Sequence, residues 1–134
     1  MKRPPSNLLV WFGVLGGAFA WLAQFVAGYA FGIAQCYDPA SRWDIPVHRW
    51  QGGLAVGALL IGLASFAVAL RLFLRTRGSE NEIFDPVARG DTTREPVGRV
   101  QFLAMLGLTV NPLAIAIIVM DGIGAPLLAL CHQS

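Results

Sequence analysis

From Leu8 to Ala34 the chain carries no charged residue, and this run, LLVWFGVLGGAFAWLAQFVAGYAFGIA, limits the fold more than any other feature. A helix in water keeps a polar face. This segment has none, only a central Gln24 and, just past its end, Cys36. About 20 helical residues at 1.5 Å each cross a hydrocarbon core of about 30 Å, so the run spans a bilayer with some overhang. It is too long for the apolar region of a cleaved signal peptide. Gln35 immediately before Cys36 also argues against cleavage and lipidation at that cysteine.

Two further apolar stretches follow, at about 50–74 and 100–120, and the whole is 55% hydrophobic and 13% charged. That charge content is about half the usual value for a soluble domain. The expectation is one all-α membrane domain, residues 1–134, with three transmembrane helices at about 8–34, 50–74 and 100–120. Ser6 or Asn7 can cap the first helix. A polar loop over 35–49 gathers Tyr37, Trp43 and, at its edges, Tyr29 and Trp50, rings suited to a headgroup layer. Arg71, Arg75 and Arg77 are expected to terminate the second span. The longest polar loop covers 75–99, where Pro86, Gly90, Pro96 and Gly98 discourage a continuous helix. In the third span Asn111-Pro112 predicts a kink, because proline lacks an amide donor and disfavours helix at the residue before it. Asp121, Gly122, Gly124 and Pro126 are expected to end it.

Three spans put the termini on opposite sides. Lys2, Arg3, Arg71, Arg75, Arg77, Arg89, Arg94 and Arg99 fall on one side, and only Arg42 and Arg49 on the other. The positive-inside rule then places the N-terminus and the second loop in the cytoplasm and the C-terminus outside, in the inner membrane of a bacterium. A net charge of +2, with basic residues beside apolar segments, gives no footprint for nucleic acid.

With that orientation Cys36 and Cys131 share the outer side, where an oxidising exterior favours a disulfide. Closing a loop of about 95 residues would stabilise by about 4–5 kcal/mol in the chain-entropy model. His48 and His132 lie on the same side. Cys36, His48, Cys131 and His132 could in principle ligate zinc or copper, but their spacing matches no recognised ligand motif, and the disulfide is the favoured reading. No histidine lies within a span, so a bis-histidine haem inside the bundle is not expected, and no cofactor is implied.

At helical spacing Gly13, Gly17, Ala20, Gln24, Ala27 and Gly28 share one face, a groove of small residues with an amide in it. Gly13/Gly17, Gly28/Gly32 and Gly53/Gly57 are small-xxx-small pairs that let backbones approach closely, and Gln24 is expected to hydrogen-bond across such a contact. The functional alternative, a proton or quinone contact at Gln24, is less favoured because glutamine cannot relay protons as a carboxylate does. No phosphate-binding loop, catalytic triad or carboxylate pair is present, and enzymatic activity from this chain alone is not expected.

Ala20-Trp21-x-x-Gln24, Gly28-Tyr29, Cys36, Arg99-x-Gln101-Phe102-Leu103-Ala104-x-x-Gly107 and the closing Pro126-x-x-x-x-Cys131 together resemble a family of small three-span membrane proteins found near bacterial haem-copper terminal oxidase (cytochrome c oxidase) genes. In that family histidine often stands at the position of Gln24, and Asn111-Pro112 also departs from its pattern. The resemblance implies an accessory or assembly subunit of a respiratory complex, packing against other membrane subunits. The rival expectations are a small homo-oligomeric transporter or channel using Gln24 and Asn111, and an outward-facing copper or thiol factor using the cysteines and histidines.

Overall fold

The computed structural model describes residues 6–36, 46–77 and 97–127. They form three helices, α1 (Asn7–Cys36), α2 (Val47–Arg77) and α3 (Val97–Leu127), and no strand occurs among them. Each contains a segment long and apolar enough to cross a membrane, Asn7–Ala34, His48–Arg77 and Arg99–Gly124. The coarse architecture is therefore an all-helical, multi-pass membrane domain.

Ser6 is the residue that caps α1: its side-chain oxygen lies 3.4 Å from the Leu9 amide, and its carbonyl accepts from Leu9 and Val10. At the start of α2 the Pro46 carbonyl accepts from Arg49 and Trp50 in the same way. The helices outrun the apolar stretches that define them. Arg71 and Arg75 lie within the last turns of α2, and Arg77 is its final residue, so the helix runs through the arginine set and ends with it. There Arg75 and Arg77 meet the negative end of the helix dipole, and Arg77 covers the Phe73 ring at 5.8 Å. The Thr76 hydroxyl donates back to the carbonyls of Leu72 and Phe73. Likewise α3 starts at Val97 and runs past Asp121, Gly122 and Gly124 to Leu127. A backbone leaving hydrocarbon satisfies its amides most simply by staying helical for another turn. Asn111-Pro112 does not interrupt α3 either, since membrane helices tolerate proline where neighbours serve the freed backbone.

Contacts fix the arrangement. Gly13 faces Val68 and Ala69, Gly16 faces Ser65, and the Phe31 ring stacks on Trp50 at 6.0 Å, so α1 and α2 are antiparallel. Gly62 meets Ile115 and Ile118, and Gly107 meets Ala69, so α2 and α3 are antiparallel too. The near end of the bundle holds the start of α1, the end of α2 and the start of α3; the far end holds the opposite termini.

Two apolar clusters lie along the axis. Near the start of α1, Val10, Leu72, Val100 and Ala104 are buried with Val68, Phe73 and Leu103 packed on them. Further along, Ala20, Ala58 and Ile118 are buried against Trp21 and Leu59. Large apolar side chains such as Phe19, Leu60, Leu113 and Met120 point away from the bundle. They suit a lipid solvent and not an aqueous one.

Candidate functional site: a buried amide clip and an open seam

Between the two clusters sits the polar centre of the molecule. Asn111 of α3 and Ser65 of α2 are both fully buried. The Asn111 Nδ2 donates to the Gly13 carbonyl at 2.7 Å, and its Oδ1 accepts from the Gly17 amide at 3.2 Å. Gly13 and Gly17 are the i and i+4 partners of one helical turn, so the carboxamide of α3 lies across a rung of α1. The chemistry also fixes the amide's orientation, since a flip would set a donor against the Gly17 N–H. The single proton of the Ser65 hydroxyl goes to the Phe12 carbonyl at 2.8 Å, its shortest contact; Asn111 Oδ1 at 3.1 Å and the Gly13 carbonyl at 3.3 Å are the other acceptors around it.

This clip needs glycine. A Cβ on Gly17 would collide with Asn111 Oδ1, and one on Gly107 would stand 2.5 Å from the Gly13 carbonyl oxygen. The latter neighbour is backbone, which cannot rotate away. Close approach of α1 and α3 at Gly13/Gly107 is what brings Asn111 within reach of α1.

The expected residues fall into separate groups. Gly13, Gly17 and Asn111 come together in the clip. The cross-helix hydrogen bond expected of Gln24 is made by Asn111 instead. Gln24 is also buried, only 8% exposed, but its Oε1 has no hydrogen-bond partner. Gly28, Gly53 and Gly57 have no atom within 4 Å of where a Cβ would stand, so among the described residues none of them carries a close helix contact. Ser65 and Gly16 complete the clip without any sequence motif to announce them, and so does Gly107, which the sequence offered only within the family resemblance. A lone serine in α2 became legible only once antiparallel packing set it opposite Phe12 and Gly13.

Cys36 closes α1 and is exposed, and exposed His48 opens α2 at the same end. Cys131 and His132 lie outside the described residues, and with them the expected disulfide and the four-residue ligand set. Among the described residues no group of three or more metal-ligating side chains occurs.

Comparisons with known proteins return nothing: no family model, no curated protein and no solved structure matches the chain.

Proposed function

We propose that this protein is an accessory or assembly subunit of a membrane respiratory complex, acting by packing its helices against other membrane subunits. The observation that carries the packing role is how little of the bundle covers itself. Only 39%, 22% and 28% of the three most apolar helical windows are buried, whereas the centre is sealed by the Asn111 clip. A transporter needs a polar path through its middle. Here Asn111 and Ser65 are satisfied by one another and by the α1 backbone, and the larger usable surface is the outside. That the partner is a terminal oxidase rests on the motifs beginning Ala20-Trp21-x-x-Gln24 alone. The charge split of Lys2, Arg3 and the Arg71–Arg99 set against Arg42 and Arg49 supports a cytoplasmic N-terminus in a bacterial inner membrane.

The Cys36–Cys131 disulfide belongs to the same proposal, as an outer staple; among the described residues no cysteine is free. Single-cysteine variants run on reducing and non-reducing gels test it. Loss of the faster non-reduced form in either variant is expected, and two alkylatable thiols in the parent protein contradict it.

Purification of tagged protein in mild detergent tests the function. Oxidase subunits at near-stoichiometric yield are expected. A self-contained homo-oligomer with no other subunit supports the transporter alternative and overturns the accessory role.

A further inference from the structure

Among the described residues the charges divide unevenly between the two ends of the bundle. The far end carries one base, Arg49, and one acid, Asp121. The near end carries Arg71, Arg75, Arg77 and Arg99, all exposed, and no acid among the described residues. Among those residues no ion pair involves any of the four, and Arg77 alone has a ring, Phe73, under its charge.

Two of the arginines stand together at one edge. Arg71 and Arg75 are a turn apart on α2 and continue the stripe of Val68, which meets Gly13 of α1. They therefore border α1. The antiparallel register, with Gly13 on Val68 and Val10 clustered with Leu72, sets them level with the first turns of α1. On that helix Leu9 and Phe12 share the stripe of Gly16, which faces Ser65 of α2, and both are exposed. The first turn of α1 contains no acid to compete for the arginines. Arg77 lies on a different face of α2, over Phe73, and Arg99 belongs to α3.

Arg71 stands about 9 Å along the axis before α2 ends at Arg77, inside the span His48–Arg77. A guanidinium at that depth is costly unless an anion or water meets it. Its planar fork fits phosphate oxygens two at a time, and it never loses its charge. Paired guanidiniums beside exposed apolar side chains match a phosphate that brings its own hydrocarbon.

We infer that the outer edge shared by α1 and α2 at the near end binds an anionic phospholipid, its phosphate held by Arg71 and Arg75 and its chains lying against Leu9 and Phe12. The site is independent of the subunit role proposed above.

Native mass spectrometry of the purified full chain tests it, with phosphatidylglycerol and phosphatidylcholine of identical chains added at equal concentration. The singly lipidated phosphatidylglycerol species is expected to exceed the phosphatidylcholine species by about fivefold or more, the factor that one basic residue contributes near an anionic surface. Arg71→Gln and Arg75→Gln are each expected to remove most of that preference, with helicity unchanged because both side chains are exposed. Arg77→Gln and Arg99→Gln remove the same charge and are expected to keep it. Equal retention of the two lipids overturns the site. An equal loss in all four variants also overturns it, since a diffuse basic field would then be acting. Retention of inorganic phosphate in the lipid's place does so too, because the ligand would be the free anion.

Discussion

The near and far halves of this bundle use the same vocabulary to opposite ends. Near the start of α1, Gly13, Gly16, Gly17 and Gly107 are pressed against neighbours, and the polar side chains among them are saturated. Toward the far end Gly28, Gly53 and Gly57 touch nothing, and Trp21, Gln24 and Gln51 each keep a buried atom unpaired. Glycine and amide side chains are expensive to keep in a membrane helix unless something approaches them. In the near half that something is the chain itself. In the far half, on the function proposed above, it is a group from outside, the helix of another subunit.

The sharpest way to break the contrast is to fill a near-half glycine. Gly107→Val sets a branched side chain against the Gly13 backbone and is expected to destabilise by about 2–3 kcal/mol or more, through overpacking. Reversible unfolding in mixed micelles measures it; a change below experimental error would mean that α1 and α3 are not in contact there. Next comes the clip. Asn111→Leu is expected to cost about 1–2 kcal/mol, the range for a buried hydrogen-bonding amide in a membrane protein. Asn111→Asp is expected to cost more, because a carboxylate cannot donate to the Gly13 carbonyl. If Asp is tolerated as well as Leu in the same assay, the amide is not bridging Gly13 and Gly17. Ser65→Ala removes only a hydroxyl whose acceptors also belong to a helix, and a loss of about 0.5–1 kcal/mol is expected. Smallest, and of opposite sign, are Gly57→Ala and Gly28→Ala. With nothing near the new methyl, each is expected to be neutral or to stabilise by about 0.5 kcal/mol, through lower chain entropy in the unfolded state. A clear loss at Gly57 in the isolated protein would place a contact where the chain leaves space.

The spans were legible because hydrocarbon thickness and an uncharged run of sufficient length leave few alternatives. Their ends were not. Arg71 and Arg75, and Asp121 to Pro126, read as stop signals, yet a backbone at the bilayer edge gains by remaining helical while long arginine side chains reach for the headgroups. Small-xxx-small spacing singled out Gly13/Gly17, Gly28/Gly32 and Gly53/Gly57 alike. Composition cannot separate a pair that is occupied from one left open, because occupancy depends on the register of another helix. The same limit hid Ser65 and the packing role of Gly107 and raised Gln24 above Asn111, although only Asn111 lies level with the Gly13–Gly17 turn.

The most direct test is whether the far half meets other subunits in the membrane. A photoreactive phenylalanine analogue at Val56 (59% exposed) or Tyr29 (66%) can be compared with the same probe at equally exposed near-half positions, Leu74 (59%) and Phe102 (63%). Irradiation of native membranes is predicted to yield defined heavier adducts from Val56 and Tyr29, and mainly lipid adducts from Leu74 and Phe102. Adducts spread evenly over the four positions, or absent from Val56 and Tyr29, would contradict it.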